Sequence, residues 1–178
     1  MIISIFCYNL MGEFCYIYNY KCRIIFSYTT SNVYCHNINL LRHLLGQTPN
    51  VDYFKWSNQD TSVAVLNFKT HQAVFEGGHF GYRGWDEITE IYFEQGRLRL
   101  ETPLPLLRNV PAKVELYQSG CEPKVLVPQI AWTWAFRRQA EAFIRDILEG
   151  NEPLTNGADA VEDIGLVEEM WKMATCHG

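Results

Sequence analysis

The chain has 178 residues, enough for one domain with a well-formed core and too few for two domains of ordinary size. Hydrophobic residues make up 48% and charged residues 20% of the sequence, a globular composition that excludes a disordered chain. The net charge of −5 argues against a general nucleic-acid-binding surface, which needs clustered Lys and Arg on one face. No stretch approaches the roughly 20 apolar residues of a membrane-spanning helix. We therefore expect neither nucleic acid nor membrane as a partner.

The six cysteines are not spaced as zinc ligands, because no pair forms a C-x-x-C motif and no matching His pair follows. The N-terminus has no basic region, and Glu13 interrupts its apolar stretch, so it is a poor signal peptide. Free thiols in a reducing cytoplasm are the better interpretation, and we expect no metal site.

Residues 1–30 differ in composition from the rest of the chain. They contain three of the six cysteines, five tyrosines and a single acidic residue, Glu13. Residues 12–28 are rich in aromatic and β-branched side chains, which predicts one or two strands. We therefore divide the chain into an atypical N-terminal segment, residues 1–30, and one domain over residues 31–178.

The first helix is predicted directly after that segment. Ile38, Leu41 and Leu45 recur at helical spacing, and Gly46 is placed to end the helix as a C′ glycine. Either Ser31 or Asn32 can cap its start.

Short β-rich runs then alternate with turn residues, and they predict a series of strands. The predicted strands span residues 51–56, 62–70, 72–80, 87–94, 97–101, 113–118 and 124–128. Because the links are too short for helical crossovers, the sheet should be mainly antiparallel.

Two helices are predicted at the end of the chain, over residues 131–150 and 157–174. The apolar face of the first comprises Trp132, Phe136, Ala140, Phe143 and Ile147. The apolar stripe of the second comprises Ile164, Val167, Trp171 and Ala174, and its acidic residues Glu162, Asp163, Glu168 and Glu169 are expected on a solvated face. Trp132, Trp134 and Trp171 are expected in the core or an interface.

The order of elements predicts an α+β fold, one broad mainly antiparallel or mixed sheet with helices packed on one face. The aromatic residues of the strands cannot all face the helices. The second sheet face is therefore predicted to be buried in a homo-oligomer or against another domain.

Three histidines are candidates for chemistry. Next to the helix start, His36 is either a polar residue near the cap or a functional imidazole beside Asn32. His43 is seven residues further on, which is not the spacing of a metal-chelating pair, and it is expected on the helix surface. The segment over residues 77–85 contains His79 and Arg83 and is either a hairpin tip or a substrate-contact loop. The sequence has no G-x-G-x-x-G, G-x-x-x-x-G-K-[ST] or G-x-S-x-G motif, and hence no recognisable nucleotide site.

Several segments together resemble the C-terminal domain of the Gfo/Idh/MocA oxidoreductases, the relatives of glucose–fructose oxidoreductase and inositol dehydrogenase. They are "NVYCHNINLLRHLLG", "EIYFEQGRLRLETP" and "FRRQAEAFIRDILEGNEPLTNGADAVEDIGLVEEMWK". The resemblance covers about residues 32–173 and extends to residues 12–20 if these form the first strand of that domain.

The resemblance implies a function and a site. Family members bind NAD or NADP through an N-terminal Rossmann domain and oxidise sugars, cyclitols or related polyols. By the family's D-x-x-x-H pattern, His36 matches the catalytic acid/base, and Asn32 stands where the family has an aspartate. An amide tunes a histidine less strongly than a carboxylate does, although it can still bind a substrate hydroxyl. We add His79 and Arg83 as candidate substrate-binding residues.

The resemblance also predicts what this chain lacks. The cofactor domain would lie upstream of residue 1, so the chain is expected to bind no cofactor and to be inactive alone. It is then the substrate-binding and oligomerisation domain of such an enzyme. The alternative is a non-catalytic sugar-binding or dimerisation protein derived from that domain.

Overall fold

A computed structural model describes residues 2–8, 34–56, 61–78 and 86–176 of the chain. The strands are β1 (Ile2–Tyr8), β2 (Asn50–Trp56), β3 (Thr61–Phe68), β4 (His71–Gly78), β5 (Asp86–Phe93), β6 (Gly96–Glu101), β7 (Lys113–Gln118) and β8 (Lys124–Leu126). The helices are α1 (Cys35–Leu45), α2 (Ala135–Glu149) and α3 (Gly157–Cys176).

The strands form one eight-stranded sheet in the order β2-β3-β4-β1-β5-β6-β7-β8. Every neighbouring pair is antiparallel except β1 and β4, which run parallel. The predicted α+β class and mixed, mainly antiparallel sheet are therefore confirmed. A tight turn after Phe93 joins β5 to β6, with Phe93 opposite Gly96.

The N-terminal strand lies in the middle of this sheet, between β4 and β5. It falls within the atypical segment, earlier than residues 12–28, where strands were predicted. Those residues lie outside the part of the chain that the structure describes, as do the candidate cap residues Ser31 and Asn32.

The core is formed where β2, β3 and β4 meet α1 and α3. Every second residue of β3 is buried, among them Ala64 and Leu66, and the β4 residues paired with these two, Phe75 and Ala73, are fully buried. Burial of one face at period two is the expected behaviour of a strand covered on that side. Helix α3 packs against β2, and α1 packs against α3.

A partly buried polar cluster joins α1 to α3. Arg42 Nη1 lies 2.6 Å from Asp163 Oδ1 and 3.1 Å from Asp159 Oδ1, and Asn39 Nδ2 donates to both carboxylates at 2.7 Å. His43 Nε2 lies 3.1 Å from Asp159 Oδ2. A buried carboxylate is tolerated only when it is paired and hydrogen-bonded, and this cluster meets both conditions.

One sequence expectation changes because of this cluster. Asp163, expected on a solvated face, is only 5% exposed, because Arg42 and Asn39 satisfy its carboxylate inside the α1–α3 contact. His43 is exposed on the helix surface, as expected, and its ring also contacts Asp159 of α3.

The buried stripe of α3 is also rotated relative to the prediction. It contains Asp163, Leu166, Val167 and Met170, whereas Ile164 is 39% exposed. The apolar pattern alone could not include an aspartate in the stripe, and so it placed the stripe one residue too far along.

Helix α2 differs from the other two helices. It ends as predicted at Gly150, whose φ of 69° is the left-handed conformation that favours glycine. None of its residues is buried, and the predicted apolar face is open, with Phe143 59% and Ile147 63% exposed. Trp132, expected in a core or interface, is 79% exposed, whereas Trp134 and Trp171 are half-buried. None of the described helices is long and apolar enough to cross a membrane.

Candidate functional site

The start of α1 is fixed to the sheet by Tyr34. Its ring is buried against Phe75 in an edge-to-face contact with centroids 5.0 Å apart, and Ser62 Oγ donates to its hydroxyl at 3.3 Å. A side chain on Gly77 of β4 would overlap the Tyr34 ring, so the glycine is needed for this close approach. This packing sets the position of the next turn, which contains His36.

His36 and Asn37 occupy that first turn with opposite exposures. His36 is exposed, whereas Asn37 is 2% exposed and its Nδ2 donates to Glu87 Oε1 at 2.7 Å. Glu87 lies at the start of β5, where its backbone carbonyl accepts a hydrogen bond from the Thr102 N–H at 2.9 Å. The charged hydrogen bond to Asn37 therefore orients a carboxylate beside the helix start that presents the imidazole.

These three side chains line a cavity of about 610 Å³. That volume lies within the usual range of small-molecule sites, which is about 300–1,000 Å³. The remaining lining comes from the segment after β6, from the segment before α2 and from the first turns of α2: Thr102, Pro103, Leu104, Pro105, Leu107, Val110, Pro111, Ala112, Ile130, Ala131, Thr133, Ala135, Phe136, Arg138 and Gln139.

Trp134 holds the proline-rich wall of this cavity in place. Its Nε1–H donates to the Pro105 carbonyl at 2.9 Å, and the Arg108 guanidinium lies 4.8 Å from the centre of its ring. The ring also contacts Phe136 edge-to-face at 5.4 Å. The half-buried tryptophan thus joins the segment after β6 to the start of α2 through a hydrogen bond, a cation–π contact and an aromatic contact.

Cys35 adjoins His36 but is not an activated nucleophile. Burial raises the pKa of its thiol, and the nearby Asp163 carboxylate raises it further. A thiol with a raised pKa stays protonated at neutral pH and is a weak nucleophile. Among the residues that the structure describes, no group of three or more His, Cys, Asp or Glu side chains could hold a metal ion.

Of the four site residues proposed from the sequence, the structure describes one. The structure places His36 on the cavity, and it adds Asn37 and Glu87, which were not proposed from the sequence. Asn32, His79 and Arg83 lie outside the described residues. Asn37 could have been found from the sequence, because it precedes Ile38 and stands four residues before Leu41 on the apolar side of α1, where an amide needs a partner. Nothing local to Glu87 marks it as that partner, 50 residues away.

The sequence matches no family model and no curated protein. Solved structures do share its fold. A putative NADPH-dependent oxidoreductase from Desulfitobacterium hafniense aligns with a TM-score of 0.78 at 13% identity, over 96% of this chain and 53% of that one. The aldose–aldose oxidoreductase from Caulobacter crescentus aligns with a TM-score of 0.74 at 15% identity, over 99% and 54%. The 3-ketoreductase KijD10 from Actinomadura kijaniata, solved with NADP and TDP-benzene, aligns with a TM-score of 0.69 at 13% identity, over 97% and 53%.

These neighbours are oxidoreductases of the Gfo/Idh/MocA type. The chain has the fold of their C-terminal half. It spans about half of the length of each aligned structure. The resemblance to this family that the sequence indicated is therefore confirmed at the level of the fold.

The described residues do not fit the nicotinamide dinucleotide that a neighbour contains. A dinucleotide phosphate needs a glycine-rich turn that opens a helix after a strand, with free N–H groups aimed at the anion. The residues at the N-caps of α1 and α2 are instead the bulky aromatic side chains Tyr34 and Trp134, not glycines. The first turn of α3 contains Asp159, whose N–H is bonded to Asn156 Oδ1 at 3.0 Å, so its charge and its donor both oppose an anion there.

Proposed function

We propose that this chain is the substrate-binding and oligomerisation domain of an NAD(P)-dependent oxidoreductase that acts on a sugar, cyclitol or related polyol. One observation carries the proposal. An exposed imidazole in the first turn of α1 and a hydrogen-bonded carboxylate at the start of β5 line the same cavity. The fold shared with sugar oxidoreductases supports the choice of reaction class.

The chemistry of these groups suits a secondary alcohol. A neutral imidazole can accept the hydroxyl proton as a general base, and a carboxylate can accept hydrogen bonds from neighbouring hydroxyls. His36 is then the proton acceptor, while Glu87 and Asn37 orient the substrate. Asn32, His79 and Arg83 remain predicted substrate contacts. The hydride acceptor must come from outside the described residues, because these do not fit a dinucleotide. We therefore expect no turnover by the chain alone.

The sheet face opposite the helices is the proposed contact between copies. On β3 and β4 it presents Val63, Val65 and Val74, all half-exposed. On β5 to β7 it presents charges that are already paired: Arg99 with Glu90 at 2.8 Å and Glu101 at 3.2 Å, and Arg97 with Glu115 at 2.8 Å. Paired charges beside an apolar strip reduce the cost of desolvation on association, so this face suits a second copy. Sedimentation at rising protein concentration tests this, and a monomer throughout would contradict it.

The site is tested by a binding panel of hexoses and cyclitols, measured by calorimetric titration on the whole chain. We expect millimolar or tighter binding of at least one member, and no reduction of added NAD or NADP in the same mixtures. Absence of binding across this panel, extended to methyl and phenyl glycosides, would contradict the proposed function. Formation of reduced nicotinamide would show that the chain is a complete enzyme.

The alternative is a non-catalytic sugar-binding or dimerisation protein derived from that domain, and both functions predict the poor fit of the described residues to a dinucleotide. The two functions make different predictions when a cofactor-binding domain is added. A separately expressed Rossmann domain of a related enzyme should restore turnover to a true enzyme domain. Binding that persists without turnover, in a complex shown to form, would favour the alternative.

A further inference from the structure

The cavity beside His36 combines a small polar region with a long apolar wall. Polar groups converge where α1 meets β5, through His36, Asn37 and Glu87. The other polar side chains of the lining are Thr102, Thr133, Arg138 and Gln139. The opposite chain segment contributes Pro103, Pro105 and Pro111 to the lining, together with Leu107 and other apolar residues. A ligand that fills this cavity therefore meets two different chemical environments.

The proline-rich wall offers few hydrogen-bond donors. Proline has no backbone N–H, and the indole donor of Trp134 is already bonded to the Pro105 carbonyl. A free hexose or cyclitol has a hydroxyl on nearly every carbon, and each buried hydroxyl needs a partner. Such a ligand would find few donors for its hydroxyl oxygens along this wall, whereas an apolar group would gain by burial there.

The charges of the lining limit the ligand further. Arg138 is the permanent cation among the described lining residues, and Glu87 contributes an opposing carboxylate. One cation and one carboxylate in the same lining do not neutralise a diphosphate, which is typically held by several donors. The lining therefore favours an uncharged substituent over a nucleoside diphosphate.

We infer that the ligand of this cavity is a sugar or cyclitol with an apolar, uncharged substituent, such as an aryl glycoside. Its hydroxyls face His36 and the Asn37–Glu87 pair, and its substituent lies on the wall that Trp134 holds against α2. The inference rests on the proposed function and narrows its substrate class. It makes Leu107 a determinant of specificity and Trp134 a positioning residue.

The test compares matched pairs of ligands on the whole chain by calorimetric titration. The probes are the methyl and phenyl β-glycosides of glucose, galactose and N-acetylglucosamine, with phenol and UDP-glucose as separate arms. At least one phenyl glycoside should bind about tenfold more tightly than its methyl partner, because the ring buries additional apolar surface. Phenol alone should bind more weakly than that glycoside.

Three variants divide the affinity between the two regions. In Leu107→Gln the ratio of the affinity for the phenyl glycoside to that for the methyl glycoside should fall towards one. In Trp134→Phe, which keeps a ring but removes the hydrogen bond to Pro105, the ratio should fall by about half or more. Glu87→Gln should weaken the binding of both the phenyl and the methyl glycoside about fivefold, because a charged hydrogen bond becomes neutral. The ratio of the two affinities should then stay unchanged. The control is Leu148→Gln, an 81% exposed α2 position that is not part of the cavity lining, and it should change neither quantity.

The outcomes separate this inference from the proposed function. Equal binding of methyl and phenyl partners would overturn the inference and leave the sugar-binding function standing. Tighter binding of UDP-glucose than of every phenyl glycoside would overturn the uncharged substituent, and phenol as tight as the glycosides would overturn the role of the hydroxyls. Binding of no probe at all would contradict both proposals.

Discussion

The two halves of the sheet are built differently. On β2, β3 and β4 the helix side is closed by α1 and α3, and the fully buried side chains of the protein include Leu66 and Phe75 there. Strands β6, β7 and β8 have no buried residue, and the neighbouring helix α2 has none either. The closed half contains most of the hydrophobic core. The open half contains most of the lining of the cavity and an apolar helix face, so its surface is available for a ligand and for another domain.

The largest expected difference between the halves is in the loss of folding stability when a phenylalanine is replaced by alanine. Phe75 is fully buried, whereas Phe143 is 59% exposed. We expect Phe75→Ala to lower the free energy of unfolding by about 3–5 kcal/mol, since it leaves a cavity in a packed core. Phe143→Ala should change it by about 0.5 kcal/mol or less. Urea denaturation measures both, and equal losses would show that α2 is packed after all.

A second comparison uses two arginines. Arg42 is 10% exposed between two carboxylates, and Arg137 is 73% exposed beside Glu141 on α2. Arg42→Met should cost about 3 kcal/mol or more, because it leaves Asp163 buried without its cation. Arg137→Met should cost about 0.5 kcal/mol or less, as is usual for an exposed i,i+4 pair. An Arg42→Met protein as stable as the wild type would mean that the polar cluster does not join α1 to α3.

The same cluster predicts a smaller, pH-dependent effect. Burial acts to raise the pKa of Asp159, but hydrogen bonds from His43 and Asn39 and the charge of Arg42 outweigh it and hold the pKa below its usual value. A lowered carboxyl pKa stabilises the fold above the ordinary value, about 3.9, and the contribution is lost as the pH falls through the lowered pKa. The stability difference between wild type and Asp159→Asn should therefore shrink below about pH 4. Urea midpoints measured between neutral and acidic pH check this, and a constant difference would contradict it.

The contrast between the two halves of the sheet also explains which features of the fold the sequence could predict. Strand periodicity and turn residues located the strands from β2 to β8 to within a few residues, because these signals are local. Gly46 and Gly150 were recognised as helix ends for the same reason, and both have positive φ. Asp163 was misplaced because its partner, Arg42, is 121 residues away, and no local pattern contains that distance. The α2 sequence predicts an apolar face but not what covers it.

The site residues also differ in whether a local sequence pattern could predict them. His36 was identified only through a resemblance to a family, since a histidine near a helix start has no distinctive pattern. The Asn37–Glu87 contact and the proline-rich wall depend on three segments that are distant in the sequence, and only the fold brings them together.

The most direct test of the central claim, that His36 lines the substrate site, is one calorimetric titration on two variants. The ligand is whichever sugar, cyclitol or glycoside binds the wild-type chain. We predict that His36→Ala weakens binding at least tenfold, while His43→Ala, which alters a histidine in the same helix that contacts Asp159, leaves the affinity unchanged. Equal affinity of the wild type and His36→Ala would contradict the account.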